Sequence, residues 1–230
     1  MLHTEYHPFV EVNMKEYKYV LFDLDGTLTD PAVGITTSVA YALKKFGIEV
    51  EDISTLNHFI GPPLLDTFME DYGFSKEKAQ TAIDYYRERF RTKGLYENVV
   101  YDGVFEMLEA LKKGGREIIL ATSKPEPFAK EILRHFGLEK YFLFIAGSNF
   151  DGTRTAKSEV IEYALECAGI SDNSACIMIG DRKHDIIGAQ KTGLDSIGVL
   201  YGYGSRKELE NANPTYIAET VEDITRLIMG

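Results

Sequence analysis

Two aspartates stand two residues apart in Asp23-Leu24-Asp25-Gly26-Thr27-Leu28-Thr29-Asp30, directly after the apolar run Tyr19 to Phe22. In extended chain, side chains at i and i+2 project to one side, and Gly26 permits the sharp turn that leaves both carboxylates at a strand end. A lone Asp-Gly turn with solvated carboxylates reads the same way locally, so other segments must supply the company that makes this pair chemical. Three do. Leu120-Ala121-Thr122-Ser123-Lys124 offers hydroxyls and backbone N–H groups at the mouth of a helix, a phosphate or oxyanion contact, though Thr and Ser are also ordinary helix caps. Gly180-Asp181-Arg182-Lys183-His184-Asp185 carries acids at i and i+4 as the chain turns into helix. These acids can share a metal, or simply answer the positive end of the helix. Lys157 opens the preceding helix near the same rim, where a solvated lysine is the plain alternative.

The elements that must position these residues are readable from apolar patterning. Tyr19 to Phe22, Glu117 to Ala121, Phe142 to Ala146, Cys176 to Ile179 and Ser196 to Leu200 are unalternating runs, as expected of strands buried on both faces. Helical spacing over Val104 to Lys113, Glu126 to Phe136, Lys157 to Ala168 and Ile186 to Lys191 separates them. The alternation predicts an α/β fold with a parallel sheet covered by helices, and such sheets take ligands at the carboxyl ends of their strands. About 80 residues separate the first strand from the next helix of this layer, too long for a plain connection. Within that gap Ile35 to Phe46, Leu64 to Tyr72 and Lys76 to Arg91 have helical spacing, which predicts a small helical domain inserted after the first strand.

With 25 Lys+Arg against 36 Asp+Glu among 230 residues, the formal net charge is −11. That field disfavours nucleic acid and anionic membranes as partners, so any anionic ligand needs local positive charge. No run approaches the length needed to cross a bilayer. Cys167 and Cys176 have no close partner and read as small buried hydrophobes in a reducing compartment, which predicts a cytoplasmic protein, monomeric by default. Met1 to Asn13 has no apolar signal core and reads as a tail, residues 1–13.

Taken in order, Asp23 and Asp25, then Thr122, Lys157, and finally Asp181 and Asp185 resemble the four motifs of the haloacid dehalogenase superfamily. More narrowly the chain resembles its phosphoglycolate phosphatase-like branch, whose helical cap lies between motifs one and two. The resemblance runs from Lys18 to the C-terminus. It implies a Rossmann-like three-layer core of residues 14–31 and 99–230, with a helical cap over residues 32–98. The implied activity is Mg2+-dependent hydrolysis of a small phosphorylated metabolite through an aspartyl-phosphate. Asp23 is then the nucleophile, and Asp25 the proton donor to the leaving oxygen and later the base for water. Lys157, Thr122 and Ser123 would hold the phosphoryl oxygens. Mg2+ would be held by Asp23, the Asp25 carbonyl and Asp181, with Asp185 acting through water or on a ligand. Dehalogenases lack an acid at the position of Asp25, which turns the expectation away from carbon–halogen hydrolysis.

A β-phosphoglucomutase-like phosphomutase keeps all four motifs, but Thr27 to Pro31 and Phe59 to Leu64 look more like the hydrolases. A non-catalytic binding module on the same sheet is the remaining alternative, against which every motif position is intact. The cap loop Gly61-Pro62-Pro63 is similar to the family's specificity loop and predicts a leaving-group contact. His58 is either a polar contact there or a partly buried histidine of the cap. Arg87, Arg89, Arg91 and Lys93 read as a solvated helix face or as further leaving-group contacts. Gly152 to Lys157 resembles relatives described as 5′-nucleotidases, so 5′-nucleotides stand beside phosphoglycolate-like acids as expected substrates. Hinges are expected at Asp30 to Gly34 and Asn98 to Gly103.

Overall fold

The computed structural model describes residues 15–230, and the expected tail, residues 1–13, lies outside them together with Met14. Eight strands run in chain order: β1 (Tyr19–Phe22), β2 (Thr29–Asp30), β3 (Val99–Val100), β4 (Glu117–Pro125), β5 (Phe142–Ser148), β6 (Cys176–Gly180), β7 (Asp195–Val199) and β8 (Tyr216–Ala218). The helices are α1 (Ala32–Lys44), α2 (Leu64–Tyr72), α3 (Lys76–Arg89), α4 (Val104–Lys113), α5 (Glu126–His135), α6 (Lys157–Cys167), α7 (Lys183–Thr192), α8 (Arg206–Ala212) and α9 (Val221–Met229). Six strands form one parallel sheet in the order β5-β4-β1-β6-β7-β8. The expected α/β core is therefore present, with β1 flanked on both edges.

Its central place explains the unalternating apolar run. Val20 and Phe22 point into the layer that includes α4, α5 and α9, whereas Leu21 points into the layer formed with α6 and α7. All three are fully buried, so neither face of β1 tolerates a polar residue until the strand ends at Asp23. The chain winds from β1 to β4 and β5 on one side and returns to β6 on the other. The reversal falls at β1, which is where a crevice opens beyond the strand ends.

The chain between β2 and β3 is helical, as the spacing predicts. Its interior is aromatic: Phe59 packs on Phe68 at 5.0 Å and Phe46 on Phe74 at 5.1 Å between ring centroids. The predicted helix over Lys76 to Arg91 is α-helical only to Arg89, and Phe90–Gly94 forms a wider π-turn closed by Leu95 N–H on the Phe90 carbonyl. The two crossings to the sheet are joined by the antiparallel pairs Thr29 with Val100 and Asp30 with Val99. Both expected hinges thus touch one short ribbon. Cys176 is buried, but Cys167, the last residue of α6, is exposed, standing at the helix end beside exposed Glu166. No helix among the described residues is long and apolar enough to cross a membrane.

Candidate active site

Asp23 leaves β1 with its N–H on the Ile179 carbonyl, still in register with β6. The chain then turns tightly, with Leu28 and Thr29 N–H groups both returning to the Leu24 carbonyl. Gly26 holds φ +81°, and a Cβ there would stand 2.2 Å from Asp181 Oδ2. The turn therefore needs glycine twice, for its left-handed backbone and for room beside Asp181. Gly26→Ala is expected to cost about 1–3 kcal/mol in strain and to displace Asp181. A thermal melt checks the strain, and comparison of the melts of variant and parent on adding Mg2+ checks the displacement.

Beyond Ala121 the ladder between β4 and β5 loses register until Pro125 pairs with Ser148. Thr122, Ser123 and Lys124 thus leave regular pairing at the crevice. Thr122 is buried and accepts the Lys124 N–H at 3.2 Å, while Ser123 is half-buried, and all three line the crevice cavity. Lys157, the first residue of α6, is buried and donates to the Ala121 carbonyl at 3.0 Å. Its Nζ also lies 2.8 Å from Asp23 Oδ1 and 2.7 Å from Asp185 Oδ1. These two contacts are of charge rather than alignment, since neither carboxylate oxygen has a directed hydrogen bond.

Asp181 directly follows β6 and is fully buried. Its Oδ2 accepts the Tyr203 N–H at 2.7 Å, and a Cβ on Gly202 would meet the Asp181 Cβ at 2.3 Å, so the loop after β7 is wrapped around this carboxylate. Its Oδ1 has no partner. Asp185 offers one oxygen to the Arg182 N–H at 3.1 Å and the other to Lys157, so both of its oxygens are engaged. Oxygens of Asp23, Asp181 and Asp185 all lie within 4.8 Å of one another.

Burial pushes Asp181 well above the usual carboxylate range, with the charges of Asp185 and Asp23 adding to it. Asp185 is held at about 6 by burial, against the pull of Lys157. Burial works against the charged form of Lys157 too, but Asp185 and Asp23 together outweigh it and hold the ammonium above its usual range. Four buried acids, counting Asp25, thus face two buried lysines. Hard carboxylate oxygens, with Asp25 Oδ1 and Asp181 Oδ1 left without a partner, fit a hard divalent cation such as Mg2+.

The second lysine, Lys124, sat in the quoted motif without a role of its own. It reaches Asp25 Oδ2 at 2.5 Å and lies 4.9 Å from the Phe90 ring centroid, so it joins the motif-one acid to the helical segment above. Burial is the dominant effect on Asp25 and keeps its carboxyl raised despite Lys124, which suits a proton donor. Three tyrosines outside the motifs stand beside the same turn. Tyr203 hydrogen-bonds Asp30 through its hydroxyl, Tyr201 donates to the Thr27 carbonyl at 2.9 Å, and Tyr101 packs edge-on against Tyr201. They brace the turn after β1 from outside.

A cavity of about 210 Å³ lies between this rim and the helical segment, lined by Asp23, Asp25, Thr122, Ser123 and Lys124 below and by Gly61, Pro62 and Tyr86 above. Gly61 and Pro62, of which a leaving-group contact is expected, thus belong to the upper lining. His58 does not line it: the side chain is exposed, with Nε2 2.9 Å from Asp71 Oδ2 and Nδ1 2.8 Å from the Thr55 carbonyl. The arginines of α3 and the following turn divide. Arg89 pairs with both oxygens of Glu97 at 2.8 Å, Arg91 is exposed, and Arg87 is half-buried in the cavity wall.

The model for haloacid dehalogenase-like hydrolases matches residues 20–199. A Pseudomonas aeruginosa protein named 5′-nucleotidase is 53% identical over 200 residues, 87% of this chain and 90% of its own. A Mycobacterium tuberculosis protein named tyrosine-protein kinase PtkA is 38% identical over 208 residues, 89% of this chain and 70% of its own. A crystal structure described as a predicted phosphatase from Clostridium acetobutylicum superposes with a TM-score of 0.91 at 54% identity, covering 93% of this chain and 99% of that one. With the motif acids gathered at the end of β1 and a family match over most of its length, the chain belongs to the haloacid dehalogenase-like hydrolases.

Proposed function

We propose that this chain is a Mg2+-dependent phosphomonoesterase that hydrolyses a small phosphorylated metabolite through a phosphoaspartate on Asp23. The observation that carries the reading is the position of Asp23 and Asp25 at the floor of the cavity, with Lys157 on the first and Lys124 on the second. The names of the Pseudomonas relative and the Clostridium structure support the same chemistry.

Asp23, Asp181 and the Asp25 carbonyl would hold the ion. Asp181 has a free oxygen aimed into the cluster, while both oxygens of Asp185 are engaged, which favours a supporting place for Asp185. When bound, Mg2+ offsets the repulsion between the phosphate dianion and the carboxylates. An Asp23 carboxylate oxygen attacks phosphorus and the bond from phosphorus to the ester oxygen breaks, with Asp25 giving its proton to the departing oxygen. Asp25, now a carboxylate, takes a proton from water as that water attacks phosphorus. Phosphate leaves, Asp23 is freed, and Asp25 again carries a proton. Lys157 and the Thr122 and Ser123 groups hold the nonbridging oxygens through both steps. Residues 32–98 act as the cap over a core of residues 14–31 and 99–230, moving on the ribbon of β2 and β3 to admit substrate and then exclude bulk water.

The test is phosphate release from p-nitrophenyl phosphate and a panel of phosphometabolites. Turnover is expected with Mg2+, none after chelation by EDTA, and full recovery on adding Mg2+ back. Release without any bisphosphate activator separates hydrolysis from a mutase. Turnover that survives exhaustive chelation overturns the metal assignment, and no turnover on any ester returns the chain to the binding-module reading.

A further inference from the structure

The wall opposite the acids has a composition that a small acidic leaving group does not call for. Tyr86 stacks on Phe90 at 5.0 Å with 17° between planes, Phe90 meets Phe128 at 5.4 Å, and Phe128 meets Phe150 edge-on at 4.9 Å. These rings form one continuous aromatic path from α3 across the cavity to the loop after β5, and all four line the cavity. Half-buried Phe150 ends the path. The Arg87 guanidinium lies 5.1 Å from its ring centroid and donates to its carbonyl at 3.3 Å.

Charge on this wall is sparse, with Arg87 its one uncommitted cation among the described residues. Lys124 is bound to Asp25, and the remaining acid of the lining, Asp66, would repel an anionic leaving group. Arg87 joins no ion pair among the described residues and presents a flat cation beside an aromatic face. A planar ring gains on such a surface twice, from stacking on aromatic faces and from the guanidinium over π density. Gln80, also in the lining, brings an amide to the cavity edge, whereas the Asn149 amide is held by Thr153 and Arg154.

We propose that Phe150 and Arg87 form a platform for a planar ring in the leaving group. The preferred substrates are then phosphomonoesters that carry such a ring, a nucleoside 5′-monophosphate or an aryl phosphate, over ring-free esters. This rests on the phosphatase reading of the same cavity. It gives Arg87 a specificity role beside Phe150, whose ring the exposed Arg91 also approaches at 5.3 Å, whereas Arg89 on the same helix is tied to Glu97.

Adenosine 5′-monophosphate and ribose 5-phosphate present the same kind of primary ester, so the ratio of their kcat/KM values isolates the ring. The expected ratio is about tenfold or more in favour of the nucleotide, the scale of one base on one aromatic face. Phe150→Leu keeps the site apolar and should bring the ratio below about threefold, while Phe150→Tyr keeps it high. O-phosphotyrosine is the second arm: turnover at or above that of the nucleotide supports the platform and places it near the ester oxygen. A wild-type ratio near one, or phosphoglycolate preferred over both ring-bearing esters, overturns the proposal. If no ester is hydrolysed, the phosphatase reading has failed separately, and calorimetry with adenosine then decides the platform. Binding weakened by Phe150→Leu supports it, and no binding to the wild-type protein overturns it.

Discussion

Asp23→Asn is expected to abolish phosphate release while leaving the fold in place. The amide has nearly the shape of the carboxylate but no charge and no nucleophilic oxygen, so no phosphoaspartate forms. Loss of a covalent nucleophile costs at least about 10³-fold in kcat, since the remaining groups only bind and polarise the ester. The structure explains why folding should survive: Lys157 keeps Asp185 at 2.7 Å and the Ala121 carbonyl at 3.0 Å. The check pairs p-nitrophenyl phosphate turnover with a thermal melt. A melt unchanged within a few degrees together with lost turnover is the expected pair, and substantial Mg2+-dependent turnover in the variant overturns the role of Asp23.

Lys157→Met should cost stability as well as activity. Methionine fills nearly the same volume, so the stem contact with Gly188 in α7 is largely kept and the change removes charge rather than packing. It leaves Asp23 and Asp185 buried without the ammonium that stands within 3 Å of both. Removing one partner of a buried ion pair costs about 3–5 kcal/mol. At about 2–4 °C per kcal/mol for a chain of this size, the melt falls by roughly 6–20 °C.

The pH dependence has a definite sign. Asp185 already sits raised, at about 6, and without Lys157 it rises further. A buried acid with a raised value favours the folded state when protonated, and this stabilisation is lost as pH rises through that value. The deficit against the wild-type protein should therefore be larger at pH 8 than at pH 5. Added Mg2+ should recover part of it, because the ion returns positive charge to the same acids. A deficit that is flat in pH and indifferent to Mg2+ would mean that Lys157 is a packing residue.

Some of this architecture was local and therefore legible. Asp23, Asp25, Thr122 and Asp181 each stand at or just past the end of an apolar run, where a parallel sheet can first admit a polar side chain, and Asp185 follows in the first turn of α7. The helical insertion was legible from the length of the gap together with the helical spacing inside it. The C-terminal elements were not: β8 has three residues, too few to show a period, and α9 announces itself only through the reciprocal cap between Thr220 and Asp223. The break of α3 into a π-turn at Phe90 leaves the apolar spacing intact, so no pattern signalled it.

By itself the sequence determined the α/β order, the place of the insertion and the acids of the rim, because each depends on spacing along a few consecutive residues. Only the tertiary structure decided which charges meet. Lys124 reaches Asp25 across 99 positions, Tyr203 reaches Asp30 across 173, and Arg87 and Arg89 part company although they are two residues apart on one helix. His58 faces Asp71 instead of the cavity for the same reason. A side chain's partner is set by which surfaces close over it, and that is a property of the packed helices and sheet rather than of any short stretch of chain.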